Sequence, residues 1–241
     1  MKHRLLYASS AFALVLGSGV LLMSAKSPTV PAPAPGHRLE LSLSRIYWEY
    51  NSSANDLGVH VTLDGQNWKR LKIFRPNESL LFDVRGFGPY QDLGMTELFF
   101  EGAEPNLDDF PLANLLALFP EGEYDFEGIT VEGDDIEGES MFSHAIPAGP
   151  RVLAQVGSNN LLRIVWSPVT SPPPGFPNRP IVISGYQVIV GSFQVTLPGH
   201  VTSVTVPPEF VQSLAPGPQS FEVLAIEAGG NQTLTEGTFV H

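Results

Sequence analysis

Cysteine is absent from the 241-residue sequence. Its absence excludes a disulfide framework, a thiol nucleophile and a thiolate-bound metal, and it leaves no residue for a cysteine-linked lipid anchor. The fold must therefore be held together by core packing and hydrogen bonds. A chain of this length has room for two small domains, each with its own core.

Basic residues are scarce. Thirteen Lys and Arg stand against 25 Asp and Glu, which gives a formal net charge of −12. The excess is concentrated in the first half, because residues 38–145 hold 21 acids and 7 bases while residues 146–241 hold 4 acids and 3 bases. A surface of this charge repels phosphate backbones and anionic lipids, so we expect no nucleic-acid partner.

Catalytic motifs with a recognisable spacing are also missing. The sequence contains no G-x-S-x-G, H-E-x-x-H, Walker loop or complete dinucleotide fingerprint. No two histidines share a ligand spacing such as H-x-H, and His60 alternates with Val59 and Val61, which predicts that it points to solvent. We therefore predict a protein that is not an enzyme and has no cofactor. A Ser-His-Asp triad assembled in space remains open.

The N-terminus has the pattern of a secretory signal peptide over residues 1–25. Lys2, His3 and Arg4 precede a run without charge over residues 5–25. An uncleaved anchor over residues 5–25 is the alternative, since a run of that length could span a bilayer. Residues 26–37 form a Pro/Ala-rich linker. We expect a secreted or periplasmic location, or a membrane-anchored one if the segment is retained.

Residues 38–147 alternate apolar and polar side chains with a period of two. Val59, Val61 and Leu63 follow this pattern, and so do Leu80 and Phe82. Such alternation is typical of strands that bury one face. It predicts an acidic N-terminal β-sandwich domain over residues 38–147.

A single short helix is predicted near residues 108–119. Leu112, Leu115 and Leu116 follow a helical spacing, with Pro111 in the first turn. Asp108 or Asp109 should cap the start of the helix, so these acids are interpreted as caps rather than ligands.

Residues 148–241 contain six strand-like runs at short spacing, separated by Gly, Pro, Ser and Asn. This pattern predicts an all-β sandwich of immunoglobulin-like size. The charge break and the sequence IPAGP place its boundary near residues 146–150. We expect residues 148–241 to fold when expressed alone.

The second half has a series of landmark residues. They are Trp166 in LLRIVWSP, Tyr186 in ISGYQVIV, Leu214 before a Pro-Gly turn, and an alternating strand around Phe221. In this order they resemble the landmarks of a fibronectin type III domain. Alternation points both Trp166 and Tyr186 inward from neighbouring strands, so we expect the Trp166 side chain to be deeply buried. The pattern departs at Gln219, which stands where the family's corner tyrosine would fall, so that tyrosine's hydrogen bond should be missing.

The first half resembles the leading region of uncharacterised secreted bacterial fibronectin type III domain-containing proteins, on the segments LDGQNW, GMTELFFEGAEP and LALFPEGEYDFEG. That resemblance implies an architecture and no activity. The fold class expected for the chain is all-β, with two β-sandwich domains in tandem and an immunoglobulin-like C-terminal one.

The acidic stretch of residues 122–140 has the alternation of a β-hairpin. In a regular strand Tyr124 and Phe126 would face one side of the sheet and Ile129 the other, because side chains alternate. We therefore predict a bulge, one extra residue at Glu127-Gly128, that returns all three side chains to the core. On this register the solvent face carries Glu123, Asp125, Glu127, Glu137 and Glu139. The alternative is a specific cation site formed by Asp125, Glu127, Glu137 and Glu139. A flat hairpin face offers few of the six to eight oxygens that calcium needs, so we favour the solvated face.

These features favour a non-enzymatic binding, adhesion or surface-display protein built from β-sandwich modules. Its partner would be an unknown protein or glycan, with membrane contact only through a retained N-terminal segment. The alternative is a secreted hydrolase whose N-terminal domain holds the site and whose fibronectin type III domain is a spacer. Carboxylates converging about 5–10 Å apart in a cleft would favour that alternative.

Overall fold

A computed structural model describes residues 37–241. The predicted signal peptide, the alternative anchor and nearly all of the linker lie outside the described residues. The strands are β1 (Arg38–Glu40), β2 (Leu43–Asn51), β3 (Asp56–Phe74), β4 (Leu80–Arg85), β5 (Met95–Glu101), β6 (Gly122–Thr130), β7 (Asp135–Phe142), β8 (Val152–Val156), β9 (Leu162–Trp166), β10 (Ile183–Val190), β11 (Phe193–Pro198), β12 (Ser203–Val206), β13 (Pro218–Glu227) and β14 (Gln232–Val240). The helices are α1 (Pro89–Leu93), α2 (Leu112–Leu118) and α3 (Pro208–Ser213).

The long strand β3 organises the first half. Its N-terminal part pairs with β2 on one side and β5 on the other, and its C-terminal part pairs with β6 and β4. Register shifts flank Trp68 on both sides, and such irregularities bend a strand. Strand β7 then lies beside β2, where Ser44 Oγ donates to the Glu139 carbonyl at 2.8 Å. The sheet therefore curls around one apolar core, which includes Trp48, Trp68 and Tyr124.

The predicted helix exists but is shorter than expected. Helix α2 spans seven residues and buries Leu115, while Pro111 occupies its N-cap position and no side chain caps it. The prediction that Asp108 or Asp109 caps the helix is therefore wrong. Asp108 instead accepts a hydrogen bond from the Asn55 side-chain amide at 3.1 Å, because the chain turns before the helix begins. Helix α1 is a second helix in this half that the apolar spacing did not indicate.

The 122–140 segment forms the predicted hairpin of β6 and β7, but without the predicted bulge. The β6–β7 ladder runs unbroken through Glu127 and Gly128, and Ile129 is 39% exposed instead of returning to the core. The extra residue is Lys69 on the neighbouring β3, where the register shifts between Trp68 and Arg70. A bulge on the partner strand changes the local pairing without changing the alternation of β6 itself.

Residues 148–241 contain two antiparallel sheets over one core. One sheet has the order β12-β9-β8, and the other contributes β14-β13-β10-β11. Trp166 is 3% exposed, as predicted, and its ring lies 5.5 Å from that of Tyr186 across the core. The two residues belong to opposite sheets, and the Tyr186 hydroxyl accepts a hydrogen bond from the Val169 N–H at 2.9 Å.

Gln219 supplies a hydrogen bond at the corner that lacks the family's tyrosine. Its side-chain amide donates to the Ala215 carbonyl four residues upstream, at 2.8 Å. A corner tyrosine makes the same kind of bond to backbone a few residues before it. The expectation that the tyrosine's own bond is missing holds, but the corner is still tied by a side chain.

The two halves share one sheet. Strand β14 pairs in parallel with β2, so an eleven-stranded sheet runs from β1 to β11. Asn231, which is buried, joins them further: its Oδ1 accepts from the Trp48 N–H at 2.9 Å, and its amide donates to the carbonyls of Ser143 at 2.9 Å and Ala145 at 3.2 Å. Residues 37–241 thus form one compact unit with two cores. This differs from two sandwiches in tandem, since the first half is a curled part of the shared sheet.

Candidate functional site

The acids of the β6–β7 hairpin lie on its outer face, opposite Tyr124 and Phe126, as predicted. The hairpin ladder places Asp125 opposite Glu139 and Glu127 opposite Glu137. Carboxylate oxygens of Glu123, Asp125 and Glu139 come within 4.8 Å of one another. The Arg38 guanidinium forms an ion pair with Glu137, in which Nη2 lies 2.7 Å from Oε1.

The residues of the alternative cation site are therefore only partly brought together. Asp125 and Glu139 lie in the close group, whereas Glu127 and Glu137 lie further along the ladder, with Glu137 paired to Arg38. The group is open to solvent and consists of carboxylates alone. Like-charged side chains on such a face are screened by water at little cost.

A different group of charged side chains surrounds His60 on β3. Its Nε2 lies 2.9 Å from Glu104 Oε1 and 3.9 Å from Glu101 Oε2, and its Nδ1 lies 3.9 Å from Glu49 Oε2. The ring is only 4% exposed, because Tyr47 and Phe99 stand beside it at centroid distances of 5.4 and 5.9 Å. His60 points away from the first core, as predicted, but the prediction of solvent exposure is wrong.

Glycine at position 58 allows Glu104 to reach the histidine. A Cβ added to Gly58 would overlap Glu104 Cγ, so only glycine leaves room for that side chain to cross strand β3. Glu104 follows β5, whose last residue, Glu101, pairs directly with His60. Strand β2, the end of strand β5 and the loop after it therefore each bring one carboxylate to the imidazole on β3.

Burial raises the pKa of the Glu49 carboxyl above its ordinary range, and the charges of Glu104 and Glu101 raise it further. His60 and a hydrogen bond from the Gln232 side-chain amide act in the opposite direction. No Lys or Arg among residues 37–241 forms an ion pair with these carboxylates. The site therefore holds excess negative charge in a partly buried place.

The sequence offered one signal for this site, the alternation around His60, and it was insufficient. Alternation shows which way a side chain points but not what covers it. The cover comes from Phe99 and Glu104, which are about 40 residues further along the chain. Only the pairing of β3 with β5 brings them over the ring.

Four of the seven bases in residues 38–145 line a groove along β3. The groove has two adjoining depressions of about 280 and 230 Å³, which share Arg70 and Ile129. The larger depression lies against β6 and β7, and its lining combines Arg70 and Lys72 with three carboxylates, those of Glu127, Asp135 and Glu137. The smaller depression lies towards the end of β4, and its charged residues are the bases Lys69, Arg70 and Arg85. Asp83 holds Arg70, with Nε to Oδ1 at 2.9 Å, and this pairing keeps the pKa of Asp83 below its usual range. The other three bases form no ion pair with another described residue.

The segment of residues 86–94, a loop that contains the short helix α1, borders this groove with three exposed apolar side chains. Phe87 is 70% exposed, Tyr90 62% and Leu93 74%, and Phe87 lines the smaller depression. The loop is anchored at its end by Gly94, which has a φ of +78° and lies so close to β3 that a Cβ would be 2.7 Å from the Asn67 carbonyl. Exposed apolar side chains grouped in this way mark interaction sites more often than isolated ones do. Their spacing in the sequence carries no periodic signal, so the sequence did not predict this surface.

The hydrolase alternative gains little from these positions. The converging carboxylates, Glu49 and Glu104, each place an oxygen within 4.8 Å of the other and of His60, which is closer than the about 5–9.5 Å of glycosidase pairs. Neither of them lines the groove, whose larger depression has carboxylates of its own in Glu127, Asp135 and Glu137.

No protein-family model matches the chain, and no curated protein matches its sequence. Three solved structures resemble it distantly: fibronectin(III)-like modules of Clostridium thermocellum CbhA (TM-score 0.29, 11% identity, 86% of this chain and 90% of that chain), a bacterial ice-binding adhesin (0.26, 11%, 86% and 65%) and the Clostridium perfringens spore cortex lytic enzyme SleM (0.32, 17%, 42% and 29%). The chain spans under a third of the length of SleM. This is a distant similarity to fibronectin type III-like modules, and TM-scores of this size support no argument about function. No helix in residues 37–241 is long and apolar enough to cross a membrane.

Proposed function

We propose that this chain is a secreted or periplasmic, non-enzymatic binding protein, of the adhesion or surface-display kind, whose ligand is an acidic polysaccharide. The observation that carries the proposal is the smaller depression of the groove, between β3, the end of β4 and the segment of residues 86–94. In a strongly acidic protein, three bases and an exposed phenylalanine meet there with no carboxylate in the lining. The partner is defined by carboxylate groups on a sugar chain.

The charge pattern supports an anionic ligand. Lys69, Lys72 and Arg85 form no ion pair with another described residue. Lys72 shares its depression with three carboxylates, whereas Lys69 and Arg85 line the depression that has none, so their charges are the ones available to a ligand. Arginine can hold a carboxylate with two parallel hydrogen bonds. The surrounding acidic surface repels other polyanions that cannot fit the groove, which favours specific over unspecific attachment.

The apolar residues support a sugar rather than a free anion. Phe87 and Tyr90 present flat aromatic faces, and an aromatic face contributes apolar contact area at small conformational cost. The glycine contacts at Gly94 hold the loop against β3, so these faces are positioned before the ligand arrives. A long polymer could follow both depressions, since they adjoin at Arg70 and Ile129.

The C-terminal half has a presenting role in this proposal. Its strand β14 continues the sheet that holds the groove, so the two halves form a rigid support instead of flexibly linked beads. The groove lies in the first half, along β3, which is separated from β14 by β2 in the sheet order. A fibronectin type III-like half of this kind would hold the binding surface away from its point of attachment.

The test is titration calorimetry of the full chain with polygalacturonate, a carboxylate polymer, and with an uncharged galactan. We expect saturable binding of polygalacturonate that weakens with added salt, and no comparable binding of galactan. Arg85→Gln should weaken binding about ten-fold or more, as expected for loss of a charge-assisted hydrogen bond. Phe87→Ala should weaken it as well.

Arg151→Gln is the matched control, because Arg151 is an exposed base on the other half. It should leave the affinity unchanged. Equal losses in Arg85→Gln and Arg151→Gln would contradict a specific groove. Absence of binding to polygalacturonate, or the same affinity for galactan, would contradict an acidic polysaccharide as the ligand. A protein partner that contacts the exposed side chains of residues 86–94 would then be the remaining candidate.

A further inference from the structure

The group around His60 is independent of the proposed glycan groove. It combines a nine-tenths buried imidazole with carboxylates from three segments, and Gly58 leaves the space that lets Glu104 complete it. We propose that Glu49, His60 and Glu104 bind one divalent transition-metal ion, with Zn²⁺ as the representative. The site lies on β2, β3 and the loop after β5.

The distances suit such an ion. One donor atom from each of the three residues lies within 4.8 Å of the others. Around a tetrahedral zinc with bonds of about 2.1 Å, donor atoms are roughly 3.4 Å apart, so small side-chain rotations would close the site. Glu101 is a fourth donor at hand, with its Oε2 3.9 Å from the His60 ring. Three protein ligands with a fourth position left to water is a common arrangement for zinc, and Glu101 could also take that fourth position.

The donor types select the metal class. Imidazole nitrogen suits zinc, copper, nickel and iron, whereas calcium and magnesium prefer an all-oxygen shell. The acidic group of Glu123, Asp125 and Glu139 has only carboxylates and is exposed, so it has no comparable preference. The two groups therefore provide a matched comparison within one protein.

The surroundings also suit a cation. No described Lys or Arg forms an ion pair with the carboxylates around His60, so a bound dication would neutralise charge that the fold otherwise keeps in a partly buried place. The Gln232 amide donates to Glu49 and fixes its orientation, as outer-shell partners of metal ligands do. Gln232 lies on β14, opposite Glu49 in the parallel ladder. Metal binding should therefore also stiffen the contact between the two halves.

The experiment uses the full chain after treatment with EDTA, titrated with ZnCl₂. We expect one zinc per chain and a rise of about 5–10 °C in the melting temperature when zinc is about 100-fold above its dissociation constant. Calcium at the same concentration should give no comparable rise. A stoichiometry of zero, or equal effects of calcium and zinc, would overturn the proposal.

Variants locate the site. Glu104→Gln should weaken zinc binding at least about ten-fold, the loss seen when even a supporting outer-shell group is removed. The paired control Asp125→Asn with Glu139→Gln should leave zinc binding unchanged. Zinc binding that survives Glu104→Gln and disappears in the control would overturn the assignment.

A second readout does not depend on the stability of a variant. In the unaltered protein, zinc should shift the imidazole nitrogen resonances of His60 in an NMR spectrum. The resonances of His200, which lies in a loop of the other half, should not move. A shift at His200 alone would contradict the site.

Discussion

Asn231→Ala should destabilise the whole protein, because this one side chain joins the two halves. The buried amide accepts from the Trp48 N–H and donates to the carbonyls of Ser143 and Ala145. Alanine would leave all three backbone groups without that partner. An unpartnered buried group costs about 1–3 kcal/mol, and carbonyls retain a second lone pair, so we expect a total loss of about 3 kcal/mol.

Calorimetric unfolding measures this loss. For a chain of this size a loss of about 3 kcal/mol corresponds to a fall of roughly 6–12 °C in melting temperature. The unaltered chain should unfold in one transition, since the sheet is continuous, and the variant can separate into two transitions because each half has its own core.

Asn178→Ala is the control, because Asn178 is exposed in the loop before β10. It should change the melting temperature little. If Asn231→Ala unfolded at the same temperature as the unaltered chain, or if both variants lost the same stability, the reasoning about the junction would be refuted.

Three further predictions concern stability. Trp166→Ala should cost about 3–5 kcal/mol, since a buried indole leaves a cavity, and an unchanged denaturation midpoint would contradict the second core. Residues 148–241 expressed alone should unfold cooperatively, but at a lower temperature than the whole chain, because strand β14 then lacks its partner strand β2. A gradual, non-cooperative melt would show that the second core does not fold by itself. The Arg179 guanidinium lowers the pKa of the Glu121 carboxyl, so this pair stabilises the fold above the ordinary carboxyl pKa and its contribution is lost as pH falls through the lowered value. Arg179→Gln should therefore reduce the acid-side loss of stability, and an identical pH profile for variant and parent would argue against the pair.

Local features of the fold were predictable from sequence where alternation decides them. The hairpin of β6 and β7 puts its acids outside and Tyr124 inside because side chains alternate along any strand. The burial of Trp166 followed from its place in the alternation of its strand. These outcomes depend on residues near in sequence and on one rule of geometry.

Features that depend on distant partners were not predictable in the same way. Ile129 is out of step with the alternation of Tyr124 and Phe126, and this predicted an extra residue in β6 itself. The extra residue is instead Lys69 on the partner strand β3, which the pattern of β6 does not specify. Strand β14 pairs with β2 across about 180 residues, and nothing in the pattern of either strand specifies that neighbour. The burial of His60 has the same origin, because its cover comes from β5 and the loop that follows.

The glycan groove is tested most directly by NMR shift mapping of the full chain with a short oligogalacturonate. The account predicts that amide shifts concentrate at residues 69–72, 85–93 and 129, which line or border the groove. It also predicts that an uncharged galactan oligomer of the same length leaves these amides unchanged. Shifts confined to the loops of residues 148–241, or the same pattern with both sugars, would contradict the account.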